Sequence, residues 1–174
     1  MKTLVLIRHG LTEGNVRRWY YGALDIPLCP EGEAALRKAA AAGLYPPVNG
    51  RRIVTSGLLR TEQTLRLLYG EQPHEQWAEL REVNFGCFEG KSYDELNGRA
   101  DYEAWVTGDW FQNIPPGGES FAQAEARILT GLARMQALFP EEDKPSYEWQ
   151  PKPGGGYLID LAAHTYRRIG ITEA

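Results

Sequence analysis

Thr3-Leu4-Val5-Leu6-Ile7 is an apolar, partly β-branched run that halts at Arg8-His9-Gly10. The run is too short for a membrane span or a secretory h-region, so it predicts a buried strand ending in a loop. Arg51–Thr55 and Gln76–Leu80 read as further strands, and Pro30–Ala42 and Arg60–Tyr69 as helices closed by Gly43 and Gly70. Ser92–Asn97 and Asp101–Thr107 read as two short helices, with Trp105 a core or cap residue, and 113–118 as a Pro/Gly loop. Phe121, Ala124, Ile128, Leu132, Met135 and Phe139 recur at spacings of three and four, which predicts a long amphipathic helix. After the polar stretch Pro140–Pro153, Gly156–Leu161 and Thr165–Ile169 read as two strands of a hairpin. Strands that alternate with helices predict an α/β layered fold with a largely parallel sheet.

At 174 residues the chain is expected to be one domain, residues 1–174. A formal net charge of −4 argues against general nucleic-acid binding, so an anionic ligand would need a local cluster of arginines. Cys29 and Cys87 are far apart and have no histidine pair nearby, which excludes the usual zinc spacings. They read as structural thiols in a reducing compartment, and the expected location is the cytoplasm.

His9 falls at the carboxyl end of the first predicted strand, the end at which open α/β sheets bind ligands. A neutral imidazole there can attack phosphorus, and the Arg8 guanidinium offers a planar fork of donors that matches a phosphate. Thr12 and Asn15 follow at the spacing Arg-His-Gly-x-Thr-x-x-Asn. Arg60 opens a helix directly after a strand, where free N–H groups already favour an anion. Glu82 follows the third strand, placed for a carboxyl to face the same cleft. Alone, each has a plainer reading: a polar strand end, a solvated helix charge, a surface acid.

Taken together, in order, over roughly residues 2–132, these pieces resemble the histidine phosphatase superfamily, also described as phosphoglycerate mutase-like. The segment 147–160 is similar to the closing segment of some bacterial members. The resemblance implies a three-layer α/β/α fold with a mostly parallel sheet. It implies His9 as the nucleophile that carries a phosphoryl group and Glu82 as the general acid. Arg8, Arg60 and Asn15 would be the phosphate-binding groups, with no metal and no cofactor. Thr12 and Gly22 are candidates for the substrate mouth, as is the segment Pro116–Ser120, and Trp19-Tyr20-Tyr21 reads either as a cap on the pocket or as packing. The implied reaction is hydrolysis of small phosphorylated metabolites. Mutases of the superfamily tend to carry middle insertions for which this chain has little room.

The chain also departs from the family. A second pocket histidine should follow the long helix, at the end of another apolar strand, and be followed by Gly. His74 reads as an exposed loop residue. His164 is the one histidine beyond Gly131, and it reads as a surface turn. The chain looks shortened by roughly thirty residues near 132–140, judged from typical element lengths. The implied consequences are a missing or rearranged central strand, reduced catalysis or a non-catalytic phosphate-binding member, and a sheet edge in need of new partners. The last strands moving in, or a homodimer that supplies pairing, are the expected remedies.

Overall fold

The computed structural model describes residues 3–135, 151–160, 163 and 165–171. The apolar run forms β1 (Thr3–Ile7). It is followed by α1 (Glu13–Val16), β2 (Trp19–Tyr20), α2 (Pro30–Ala41), β3 (Val54–Thr55), α3 (Leu59–Tyr69) and β4 (Glu75–Gln76). A 3-10 turn at Ala78–Leu80 takes up the end of the segment expected as the third strand, and a second spans Gly86–Phe88. Then come β5 (Lys91–Ser92), α4 (Tyr93–Leu96), α5 (Ala100–Val106), α6 (Phe121–Met135), β6 (Gly155–Asp160) and β7 (Thr165–Gly170). The expected extension of α6 to Phe139, the turn at His164 and most of the suspected deletion lie outside the described residues.

The fold is α/β as expected, but among the described residues most of its strand pairing is antiparallel rather than parallel. The largest sheet has the order β1-β6-β7, and both of its ladders are antiparallel. β2 pairs antiparallel with β5, and among the described residues only β3 and β4 pair in parallel. The closing hairpin runs back along β1, from Thr3 opposite Asp160 to Ile7 opposite Gly156. Gly156 suits that register, since a Cβ there would lie 2.0 Å from the Leu6 carbonyl oxygen. β1 is also less buried than its apolar run predicts: Leu6 keeps 36% of its surface exposed. The reason is topological, because among the described residues β1 is an edge strand of its sheet.

Local chemistry accounts for the helices. Pro30 starts α2, where its missing N–H costs nothing. Thr12 and Asn15 form a reciprocal capping box on α1, and Ser92 and Glu95 form another on α4. The buried core gathers Val83, Phe85, Phe88, Leu96, Tyr102, Trp105 and Ala124, with Tyr20 and Phe121 packed against it. Its rings meet edge-to-face or tilted, as at Tyr20–Phe85 and Phe88–Tyr102, with Trp105 stacked on Phe121. Trp105 is therefore a core residue. This cluster anchors the loop that carries Glu82.

Candidate active site

β1 ends at the site and delivers Arg8 and His9. His9 is buried, and its Nδ1 lies 2.7 Å from the Gly10 carbonyl oxygen. A carbonyl accepts only, so Nδ1 carries the proton and Nε2 presents its lone pair. Burial lowers the His9 pKa to about 4, and the Arg60 and Arg8 charges add to that effect against the Gly10 hydrogen bond. His9 is thus neutral at pH 7. Its Nε2 is buried and has no hydrogen-bond partner. Gly10 is held in turn by its N–H donating to Thr64 Oγ1 at 3.0 Å.

Arg60, in the first turn of α3, is almost wholly buried. Its Nη2 donates to the Gly22 carbonyl at 2.8 Å and its Nη1 to that of Leu24 at 2.9 Å, while its guanidinium carbon lies 5.1 Å from the centre of the Tyr21 ring. Its Nε, like His9 Nε2, is buried without a partner. An orphaned lone pair and an orphaned N–H, on two residues lining the same cavity, suit a phosphoryl group: its P–OH or its phosphorus faces His9 Nε2, and one of its oxygens accepts from Arg60 Nε. Arg8 lines that cavity too, and its Nη1 donates to the Pro151 carbonyl at 2.9 Å.

Glu82 lies 3.7 Å from Arg60 Nη2 through Oε2. Its side chain opens onto the cleft, yet the surrounding protein desolvates it enough to raise its carboxyl above the usual range, against the pull of Arg60 and Arg8. A carboxyl displaced in this direction keeps its proton to higher pH than a free one and so is suited to act as an acid. Arg8, His9, Arg60 and Glu82 line one cavity of about 640 Å³. Arg8 and Glu82 also face a second hollow that Asn15 lines, along with Trp19, Tyr20 and Tyr21. The Asn15 Oδ1 is engaged by Thr12, which leaves its amide group for that hollow.

Thr12 and Gly22 do not line the mouth. Thr12 is fully buried, caps α1, and places its Oγ1 2.7 Å from the Tyr21 hydroxyl. Gly22 is buried against the Glu82 loop, and a Cβ there would lie 1.8 Å from the Val83 carbonyl oxygen. Its carbonyl holds Arg60, so Gly22 positions the site from behind. The segment 116–120 has a similar task. The Glu119 carboxylate pairs with Arg127 and accepts from the Asn84 N–H at 3.1 Å, and Arg127 donates to the carbonyls of Glu79 and Arg81. Together they clamp the loop that bears Glu82. His74 is exposed as expected, with Nε2 2.7 Å from Glu62 Oε2.

Sequence reasoning passes over Glu89. Its carboxylate accepts from the N–H groups of Gly22, Ala23, Leu24 and Phe85 and so fixes the loop whose carbonyls hold Arg60. In the sequence Tyr21 is only one of three consecutive aromatics; in the fold its ring lies edge-on to His9 and beneath Arg60. Among the described residues no cluster could hold a metal ion, and no helix is long and apolar enough to cross a membrane.

A buried neutral histidine flanked by two arginines and a raised carboxyl, at the end of a strand in an α/β fold, is chemically suited to hold a phosphoryl group. The sequence matches the histidine phosphatase superfamily (branch 1) over residues 4–144, and the chain belongs to that family. It is 32% identical over 151 residues to a 2,3-bisphosphoglycerate-dependent phosphoglycerate mutase of Rhizobium etli, covering 80% of this chain and 69% of that relative. It is 31% identical over 139 residues to the adenosylcobalamin/alpha-ribazole phosphatase of Salmonella typhimurium, covering 78% and 67%. The chain therefore spans only about two thirds of these relatives. The alpha-ribazole phosphatase from Shigella flexneri superposes with a TM-score of 0.81 at 24% identity, over 99% of both chains. The phosphoglycerate mutase from Thermus thermophilus gives 0.64 at 30% identity, also over 99% of both. The fold is accordingly phosphoglycerate mutase-like.

Proposed function

We propose that this chain is a phosphomonoesterase acting on small phosphorylated metabolites through a phosphohistidine at His9. The observation that carries this reading is the pair of orphaned buried nitrogens, His9 Nε2 and Arg60 Nε, on residues lining one cavity. The His9 Nε2 lone pair attacks phosphorus while the bond from phosphorus to the ester oxygen breaks. Glu82 gives its proton to the departing alkoxide. Water then attacks the phosphohistidine, the resulting carboxylate of Glu82 takes its proton, and inorganic phosphate leaves with His9 neutral again. Arg8 and Arg60 stabilise the charge on the transferring group, and Asn15 adds a neutral donor. No step requires a metal.

The test is hydrolysis of p-nitrophenyl phosphate, with a His9→Ala control and alkaline-quench trapping of labelled phosphate on the protein. Activity and label should both vanish in the control; undiminished activity there would overturn the reading. A second reading has its own support: among the described residues His9 is the only histidine lining the cavity, and the Nη atoms of Arg60 are engaged by Gly22 and Leu24. That pattern favours a phosphate-binding member with weak turnover, recognised by phosphate binding without hydrolysis. Phosphoglycerate mutase-type transfer, suggested by one of the relatives, would instead appear as isomerised phosphoglycerate without release of inorganic phosphate.

A further inference from the structure

The cavity that reaches the candidate site extends between β1 and β3, and its walls carry strand edges that no described strand pairs. The Arg8 N–H donates to the Gly155 carbonyl at 2.8 Å, in line with the β1–β6 register. By antiparallel alternation Leu4, Leu6 and Arg8 turn their backbone groups to β6, and Val5 and Ile7 turn theirs the other way. No strand of the described residues pairs with that second edge. On the far wall the Glu75 N–H donates to Ile53 and the Trp77 N–H to Thr55, so β3 turns the N–H and C=O of Val54 away from β4. Val5, Ile7 and Val54 all line the one cavity of about 640 Å³, with Leu65, Leu68 and Ile128 among its apolar walls.

We propose that this slot is a docking site for an extended apolar peptide strand, flanked by acidic residues, from a second polypeptide. Only a strand presents alternating N–H and C=O groups along both of its sides, which two facing edges require. A lipid-like ligand would fill the apolar space and leave those groups unpaired, and a helix has its own backbone groups already engaged. Beyond Arg8 and Arg60, which belong to the candidate phosphate site, the charge lining the slot is that of Arg51, Arg52 and Arg81, which points to acidic flanks. Arg52 is paired with Glu75, while Arg51 reaches Thr3 Oγ1 at the start of β1. A second copy of this chain is a poor donor, because every described strand is already placed in a ladder. The proposal does not depend on turnover at His9.

The test uses the full chain and a synthetic peptide, acetyl-Glu-Val-Ile-Val-Ile-Val-Glu-amide. Calorimetry should register binding, and the amides of Val5, Ile7 and Val54 should exchange with solvent at least about tenfold more slowly when it is bound. A peptide N-methylated at alternate residues should not bind, and one with lysine flanks should bind at least about tenfold more weakly at low salt. Leu68→Trp, which fills the slot, should weaken binding while circular dichroism stays unchanged; Ile128→Trp serves if that variant does not fold. Equal binding of the N-methylated peptide would reduce the slot to an apolar trap and overturn the proposal. So would Val5 and Ile7 amides already protected in the free chain, or protection that appears only with dimer in sedimentation.

Discussion

His9 joins a pKa of about 4 to burial, and that makes a stability prediction as well as a catalytic one. Above its ordinary value of 6.5 both folded and unfolded chains hold the ring neutral, so it adds no pH dependence. Between 6.5 and about 4 the unfolded chain takes up a proton that the folded chain refuses, and stability falls with pH by about 3 kcal/mol. Urea unfolding at pH 7 and pH 4 should show that loss, and His9→Gln should lose about 3 kcal/mol less over the same interval. An equal loss in the variant would mean that His9 titrates freely. Glu82 has the opposite displacement: burial raises it, so its proton persists above the ordinary carboxylate range and is lost as pH rises. In the proposed reaction Glu82→Gln therefore removes the alkaline fall in kcat/KM. It should slow an alkyl phosphate by about 100-fold but p-nitrophenyl phosphate much less, because nitrophenolate leaves without a proton. Equal slowing of both substrates would assign Glu82 a merely structural part.

The elements that set these residues in place differ in how far the sequence declares them. β1, α3 and the described part of α6 follow from an apolar run or from a 3.6-residue period, and the ends of β1 and α3 carry Arg8, His9 and Arg60. The two-residue ladder of β2 with β5 is too short to have a period, and nothing local in Gly155–Asp160 says that it will lie antiparallel beside β1. For the same reason Arg8, His9, Arg60 and Glu82 were legible and Glu89 was not. An acid that gathers the N–H groups of Gly22, Ala23, Leu24 and Phe85 has no spacing signature, since its partners lie 4 to 67 residues away. That strap makes its own prediction. Glu89→Ala leaves backbone donors without their acceptor and loosens the carbonyls that hold Arg60, so stability should fall by about 3 kcal/mol. In the proposed enzyme KM for phosphate esters should rise, and Glu89→Gln should restore part of both. An unchanged melting temperature in Glu89→Ala would show that the loop is held by something else.

At the scale of the whole molecule the proposed phosphate-site groups come from separate parts of the chain that line a single cavity: Arg8 and His9 from the end of β1, Arg60 from α3, Glu82 from the loop clamped by Arg127. A phosphate whose P–OH donates to His9 Nε2 while another oxygen accepts from Arg60 Nε would therefore tie β1 to α3 across a space that no described strand fills. Bound ligand then counts toward global stability, because the unfolded chain has no assembled site to bind it. At a free phosphate concentration of about 100 times Kd the gain is about 2.7 kcal/mol. For a chain of this size that corresponds to a rise in Tm of about 5–10 °C. Sulfate, which has no proton to give His9, should act more weakly than phosphate, and chloride at matched ionic strength should not act. Arg8→Ala should shrink the shift by weakening Kd. Hydrogen exchange should slow in both β1 and α3 when phosphate binds, since both ends of the tie are held. Slowing confined to α3 would mean that the anion sits on the helix end alone and that His9 takes no part in holding it.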